Sequence, residues 1–346
     1  MLRLKRATVV VAGAADAMEQ RLAIQVGDER RTAIADVGLV GAAQPGDEVI
    51  VNVEAVELGL GSGGFDVVHA NLTRGLEGQG TPRAHVMKLN YTSLQHAVLP
   101  VEEGDAEDAP ATLALPLGKP AAVFALHGQL APLAWSFARA TGGEGRLGYV
   151  QTAGGALPGG HSCVVRELRD DGLLAEHITA GPAFGGADGD SITTAAALHH
   201  GLTALGWDAA AIGPGPGILG SGSALGHGGM YAMDSVHAAA ALGCRPVVVP
   251  RISSGDPRVR HQGLSHHTGT VLRMVLTPVV VAVPEGFQVA WPAQDVAHEW
   301  RQVKVDTAGY RDSGLPATTM GRSIAEDEAF FTSALAGGAL LGELAT

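Results

Sequence analysis

Arg245-Pro-Val-Val-Val-Pro250 runs straight into Arg251-Ile-Ser-Ser-Gly-Asp-Pro-Arg-Val-Arg-His-Gln-Gly-Leu-Ser-His-His-Thr268. A short apolar run gives way to a turn-rich stretch holding three arginines, three histidines, three serines and an aspartate. A helical pattern follows over Ser265–Leu276. A fully apolar run of this length reads as a strand buried on both faces, and the polar segment as the loop at its carboxyl end. The order strand, functional loop, helix is the repeating unit of an open parallel sheet.

The same unit recurs upstream and downstream. Ala121–Leu126, Arg146–Thr152, His177–Ala180, Asp208–Ile212 and Val279–Val283 read as further strands. Gln129–Ala140, Ser162–Arg169, Ile192–Leu205 and Met230–Leu242 carry helical periodicity between them. Such alternation predicts a doubly wound, mostly parallel, Rossmann-like α/β domain over residues 116–346. Trp300–Asp306 is strand-like and Ser323–Leu341 helical, with Ser323 and Glu326 at capping-box spacing; Gly337-Gly338 weakens the last turns.

Residues 1–101 have another rhythm. Thr8–Ala12, Leu22–Val26, Thr32–Val40, Glu48–Val56 and Phe65–Ala70 are short β-branched runs, and Val86–Tyr91 and Ala97–Val101 offer two more. Gly27-Asp28, Pro45-Gly46-Asp47 and Gly61-Ser-Gly-Gly64 punctuate them, so a β-rich, barrel-like domain is expected. Five acids in the seven residues Glu102–Asp108 mark an acidic linker over 102–115.

Composition narrows the function. The 346 residues are 46% apolar and 17% charged, and Lys+Arg 23 against Asp+Glu 35 gives a net charge of −12. With aromatics at only 4%, the basic footprint and stacking platforms of a nucleic-acid binder are missing. No apolar run reaches the 18 or so residues of a membrane span. Arg3, Lys5 and Arg6 before Ala7–Ala15 loosely mimic an export signal, but Thr8–Val11 reads better as a first strand, so a cytoplasmic setting is expected. Cys163 and Cys244 show no paired spacing and read as apolar fillers.

In open parallel sheets ligands bind beyond the carboxyl ends of the strands. His127-Gly128, Thr152-Ala-Gly-Gly155, Phe184-Gly-Gly-Ala-Asp188, Gly213-Pro-Gly-Pro-Gly-Ile-Leu-Gly-Ser-Gly-Ser223 and Arg251–Thr268 all follow predicted strands, placing them on one rim. His266 and His267 at a helix start lean neutral in the helix dipole, suited to proton transfer. One of them is expected to act, oriented by Asp256 or His261. Arg251 and Arg258 are the candidates to hold an anionic group, or else to pair with Asp256. Gly154, Gly155, Gly185, Gly186, Gly215 and Gly217 offer backbone amides, and Asp188 a carboxylate; the competing reading of the glycines is close packing. Arg322 is a further anion candidate.

Gly215-x-Gly217-x-x-Gly220 matches the dinucleotide fingerprint, yet Pro214 and Pro216 restrict the turn and the next strand ends at Arg251 rather than an acid. NAD(P) is therefore not expected. No metal-ligand set is assigned, because no H-E-x-x-H pair exists. A divalent metal stays the competing reading, with ligands gathered from His127, Asp188, Asp256, His261 and one of His266 and His267. No G-x-S-x-G nucleophile elbow is present, although Ser253, Ser254, Ser265 and Thr152 lie in the right loops.

The chain also resembles a bacterial family defined by a domain of unknown function, over nearly its full length. The resemblance is carried by Val56-Glu-Leu-Gly-Leu-Gly-Ser-Gly-Gly64, Met87-Lys-Leu-Asn-Tyr-Thr92, Ala183-Phe-Gly-Gly186 and Gly215-Pro-Gly-Ile-Leu-Gly-Ser-Gly222. Arg251-Ile-Ser, Asp256-Pro-Arg258, Arg260-His-Gln-Gly-Leu-Ser-His-His-Thr268 and Thr319-Met-Gly-Arg322 continue it. Gly-Pro before Ala183 and Gly255 before Asp256 depart from the pattern, and the resemblance implies no reaction.

The expected function is an enzyme, a hydrolase or transferase ahead of an oxidoreductase, acting on a small anionic metabolite at this rim. The alternative is a non-catalytic metabolite-binding or scaffold protein using the same loops. A homo-oligomer is expected in either case.

Overall fold

The structure is a computed structural model that describes residues 1–15, 18–60, 63–103, 113, 115–288 and 297–346. The chain divides into two compact units, Met1–Leu99 and Pro100–Thr346. The stretch read as an acidic linker lies mostly outside the described residues.

In the first unit, β1 (Leu4–Ala15), β2 (Glu19–Val26), β3 (Glu29–Asp36), β4 (Glu48–Asn52) and β5 (Asp66–Asn71) close a barrel in the order β1-β2-β3-β5-β4. Alternation dictates what it encloses. Leu22, Ile24 and Val26 point inward from β2, and meet Ala7 and Val9, Val49 and Val51, and Val68 from β1, β4 and β5. Asp47, buried at the barrel's edge, is held bidentately by Arg74 and by Asn71.

Three expectations need correction here. The run to Val40 is a strand only as far as Asp36, whose side chain accepts from the Leu39 amide and starts the short helix α1 (Val37–Val40). The run to Val56 stops at Asn52, which caps the Glu54 amide and leads into α2 (Glu54–Glu57). In both cases an Asx side chain offers the backbone a turn that β propensity cannot outweigh. The two later runs shrink to β6 (Val86–Lys88) and β7 (His96–Val98), which pair with each other and add nothing to the barrel.

The second unit is built on eight strands, all parallel: β8 (Pro120–Phe124), β9 (Leu147–Thr152), β10 (His177–Ala180), β11 (Asp190–Ser191), β12 (Ala209–Pro214), β13 (Arg245–Val249), β16 (Val280–Pro284) and β17 (Glu299–Val303). Between β13 and β16, β14 (Ile252–Ser253) and β15 (Gly263–Leu264) form a two-stranded ribbon. A second ribbon, β18 (Thr318–Thr319) with β19 (Arg322–Ser323), precedes the last helix. The main sheet runs β11-β10-β9-β12-β8-β13-β16-β17.

Helices α3 (Leu130–Ala140), α4 (Cys163–Asp170), α5 (Thr194–Thr203), α6 (Tyr231–Ala241), α7 (His266–Met274), α8 (Thr307–Arg311) and α9 (Glu328–Ala345) connect and cover it. Successive strand residues feed opposite cores. Ala121 and Val123 pack with α5, α6 and α7, whereas Ala122 and Phe124 pack with α3, α4 and α9. Apolar runs buried on both faces follow from that double cover.

The final helix starts later than its capping box suggests. Glu326 does accept from both the amide and the hydroxyl of Ser323, but that closes a turn, and α9 begins at Glu328. It then continues through Gly337-Gly338, because a Cβ on Gly337 would meet Val249 at 2.5 Å and one on Gly338 would meet the Leu133 carbonyl at 2.0 Å. Close packing on the sheet and on α3 requires both glycines.

Strand order fixes where a site belongs. From β8 the chain lays β9, β10 and β11 toward one edge, returns to insert β12 beside β8, then continues with β13, β16 and β17 toward the other. The connection leaving β8 crosses the α3 face, while the one leaving β12 crosses the α6 face. The carboxyl ends of β12, β8 and β13 are therefore the topological switch point of the doubly wound sheet, the place where ligands bind in such folds.

Candidate functional site

The loop after β13 folds back on itself through the β14–β15 ribbon, in which Ile252 pairs with Leu264 and Ser253 with Gly263. The Ser265 amide donates to the Arg251 carbonyl at 2.9 Å, and the Arg251 amide to Thr268 Oγ1 at 2.8 Å. Residues separated by seventeen positions are thus clamped together, and α7 starts at the carboxyl end of β13. Ser265 is its N-cap, with Oγ accepting from the His267 amide at 3.2 Å.

This arrangement gathers four imidazoles. His261 sits in a 3-10 turn, and His266 and His267 are the first residues of α7. His227 arrives from the loop after β12. His227 stacks on His267 with centroids 3.7 Å apart and planes 11° apart. His261 lies 4.9 Å from His266 and 4.8 Å from His267, and the two neighbours on α7 are 4.4 Å apart. Adjacent histidines on a regular helix diverge, but at its first turn both rings meet a third from the preceding loop.

The hydrogen bonding around the rings is uneven. His261 Nδ1 is 2.7 Å from Ser265 Oγ, which leaves Nε2 facing only a 3.4 Å approach from Arg260. Nε2 of His266 and Nδ1 of His267 are buried without a hydrogen-bond partner. His227, His261 and His267 are all more than nine-tenths buried. Burial is the first cause holding each of the four below the ordinary histidine range. The neighbouring arginines and imidazoles reinforce it, and His261 falls to about 4. At neutral pH the cluster is four uncharged rings offering lone pairs.

One nitrogen from each of His261, His266 and His267 lies within 4.8 Å of the others. Among the described residues, no other group of three or more His, Cys, Asp or Glu side chains stands so close.

Beside the imidazoles is an arginine–carboxylate network. Asp256 receives Arg251 at 2.8 Å, both Nε and Nη2 of Arg258, and Arg322 at 3.5 Å. Asp327 receives Ser253, the amides of Ser254 and Gly255, and Arg322. Hydrogen bonding to Arg258, with Arg251 adding to the field, holds the Asp256 carboxyl well below the usual carboxylate range. Orientation of the nearest imidazole therefore comes from Ser265, while Asp256 is saturated by guanidinium. Arg251 is fully buried in this network.

The glycines do structural work at close range. A Cβ on Gly155 would fall 2.2 Å from the Gly215 carbonyl and 2.7 Å from that of Gly217, and one on Gly154 would fall 2.5 Å from the Gly228 carbonyl. The loops after β9 and β12 thus interlock backbone to backbone, which holds His227 in place. Gly185, Gly186 and Asp188 close a separate turn after β10. There the Gly185 amide donates to Asp190, the Gly186 amide to Thr179, and Asp188 accepts from Arg169 and the His177 amide. Four strand spacings separate that turn from β13, on the order of 19 Å. His127 donates to the Pro214 carbonyl and accepts from Ser162, outside the cluster.

Residues 32–338 match a family described as protein of unknown function (DUF3866). The chain belongs to this family. No curated protein and no solved structure matches it. In this DUF3866 member, sequence reasoning missed His227. The available signal was its position: a lone histidine in Gly226-His-Gly-Gly229, after a strand that flanks β8 on the side opposite β13.

Proposed function

We propose that the protein is an enzyme, a hydrolase or transferase, acting on a small anionic metabolite at the carboxyl ends of β12, β8 and β13. The observation that carries this reading is the cluster of neutral, buried imidazoles with unfilled nitrogens at the switch point. Pure packing is a poor explanation, since buried polar groups without partners are rare and costly. Three guanidiniums against two carboxylates leave the adjoining network with a net positive charge, and exposed Arg260 adds another. An anion entering an otherwise acidic protein would be drawn there. In this reading the imidazole cluster on α7 and its preceding turn activates the nucleophile, His227 handles protons, and Arg260 receives the anionic group.

The Rossmann-like layout supports the placement, and two unpaired cysteines suit a cytoplasmic setting. We also expect a homo-oligomer, with exposed Leu276 and Val259 available for contact between copies, which gel filtration can test.

Turnover of nitrophenyl phosphate, carboxylate and phosphodiester probes measures the activity directly. His267→Ala should abolish it while leaving far-ultraviolet circular dichroism unchanged. An unchanged rate would remove the cluster from the mechanism. Saturable anion binding with no turnover of any probe would favour a metabolite-binding protein instead.

A further inference from the structure

Three imidazoles converge, His266 Nε2 and His267 Nδ1 are buried with no hydrogen-bond partner, and His261 Nε2 meets only the long 3.4 Å approach of the exposed Arg260. We infer that His261, His266 and His267 form a binding site for one divalent transition-metal ion. The inference rests on the same cluster being the functional site.

The donor chemistry selects the ion. Three imidazoles and no oxygen ligand suit zinc, cobalt, nickel, copper or ferrous iron, and disfavour magnesium and calcium, which require oxygen. A tetrahedral ion with bonds of about 2.0–2.1 Å wants its nitrogens roughly 3.4 Å apart. Nitrogens already within 4.8 Å reach that spacing through small ring rotations. Three protein ligands leave a fourth position for water or substrate, the pattern of a catalytic rather than a structural site.

The surrounding groups fit ligand roles. Ser265 Oγ, 2.7 Å from His261 Nδ1, accepts that nitrogen's proton in a hydrogen bond and leaves the lone pair on Nε2, where an ion would displace the 3.4 Å approach of Arg260; outer partners of metal-bound histidines act in the same way. His227 lies flat on His267 with planes 11° apart, so its nitrogens run alongside the ligand ring rather than head-on to a shared ion. It is a group beside the metal and not a ligand. The same geometry explains why the loop after β13 is clamped at Ser265 and Thr268: it sets two ligands at the start of α7 against the third in the preceding turn.

The test uses the full chain stripped with a chelator and titrated with Zn2+ by calorimetry and with Co2+ by visible absorption. Expected are one ion per chain, the intense visible bands of low-coordinate Co2+, and a higher melting temperature with metal. His266→Gln and His267→Gln should each weaken binding by more than about 100-fold, beyond the roughly 10- to 100-fold expected for the outer-partner variant Ser265→Ala. His227→Gln should keep a stoichiometry of one. Since His266 is only half-buried, His266→Gln is the variant least exposed to folding failure, and circular dichroism verifies it.

No saturable uptake of either ion, or uptake that survives in a His261, His266 and His267 triple variant, would overturn the site. The outcomes separate from those for the enzyme reading. Metal bound with no turnover keeps the site and loses the activity, whereas turnover undiminished by chelation keeps the activity and loses the site.

Discussion

His127 and His177 are fully hydrogen-bonded imidazoles whose burial keeps them uncharged. His127 donates from Nδ1 to the Pro214 carbonyl and accepts at Nε2 from Ser162; His177 donates from Nε2 to Gln151 and accepts at Nδ1 from the Ala187 amide. A proton added to His177 Nδ1 would meet the Ala187 amide N–H head-on. Burial pushes His127 down to about 4 and His177 to about 3, the latter helped by the fields of His127 and Arg169. Unfolding returns both to the ordinary value near 6.5, so between that pH and their folded values the unfolded chain binds more protons. Stability therefore falls as pH drops from about 6.5 toward 4, by up to about 1.4 kcal/mol per pH unit for each group. Urea midpoints measured at pH 7.5 and pH 5 should show the loss, and His127→Asn should reduce it, leaving the part that His177 contributes. Equal midpoints would mean that these rings are already charged or solvated in the folded chain.

At the scale of elements, β9 and α5 both owe their composition to one side chain. Trp207 is fully buried and held by a 2.6 Å bond from Nε1 to Glu176. A Cβ on Gly148 of β9 would sit 2.0 Å from its indole, and one on Gly201 of α5 would sit 2.3 Å away. The ring cannot retreat from one without striking the other. Gly148→Ala should lower stability by about 1–3 kcal/mol, as overpacked cores do, and Trp207→Leu in the same chain should recover part of it. A urea midpoint unchanged in Gly148→Ala would show that the indole has room to move. This contact also shows what a sequence carries and what it hides. The parallel strands were legible, because Ala209–Ile212 and Val247–Val249 must be apolar on both faces whatever packs there. Gly148 inside β9 was not, since its reason is an aromatic ring 59 residues away. The Arg251–Thr268 segment stood out as a candidate site by its density of chemistry. Asp256 was misplaced as a partner of the histidines, because nearness in sequence does not show that Arg322, from beyond β17, closes over it. His227 was invisible for the same reason: it reaches the cluster across β8, not along the chain.

For the whole molecule, the decisive fact is that each unit encloses its own apolar core. The barrel is filled by residues from Ala7 to Val68, and the α/β unit by two cores lining opposite faces of its sheet, with a smaller one under α9. No residue of the imidazole cluster, the arginine network or the interlocked glycine loops comes from before Pro100. A unit of nearly 250 residues with a complete sheet lies well within the size at which a single domain is self-sufficient. Residues 100–346 produced alone should therefore fold, unfold in one cooperative urea transition, and bind one Zn2+ with the affinity of the full chain. The complementary fragment, residues 1–99, should fold as a barrel that binds none. Cooperative unfolding with lost metal affinity would mean that the barrel shapes the site from outside its own ligand set. A fragment that aggregates would mean that the two cores, though separate, stabilise each other.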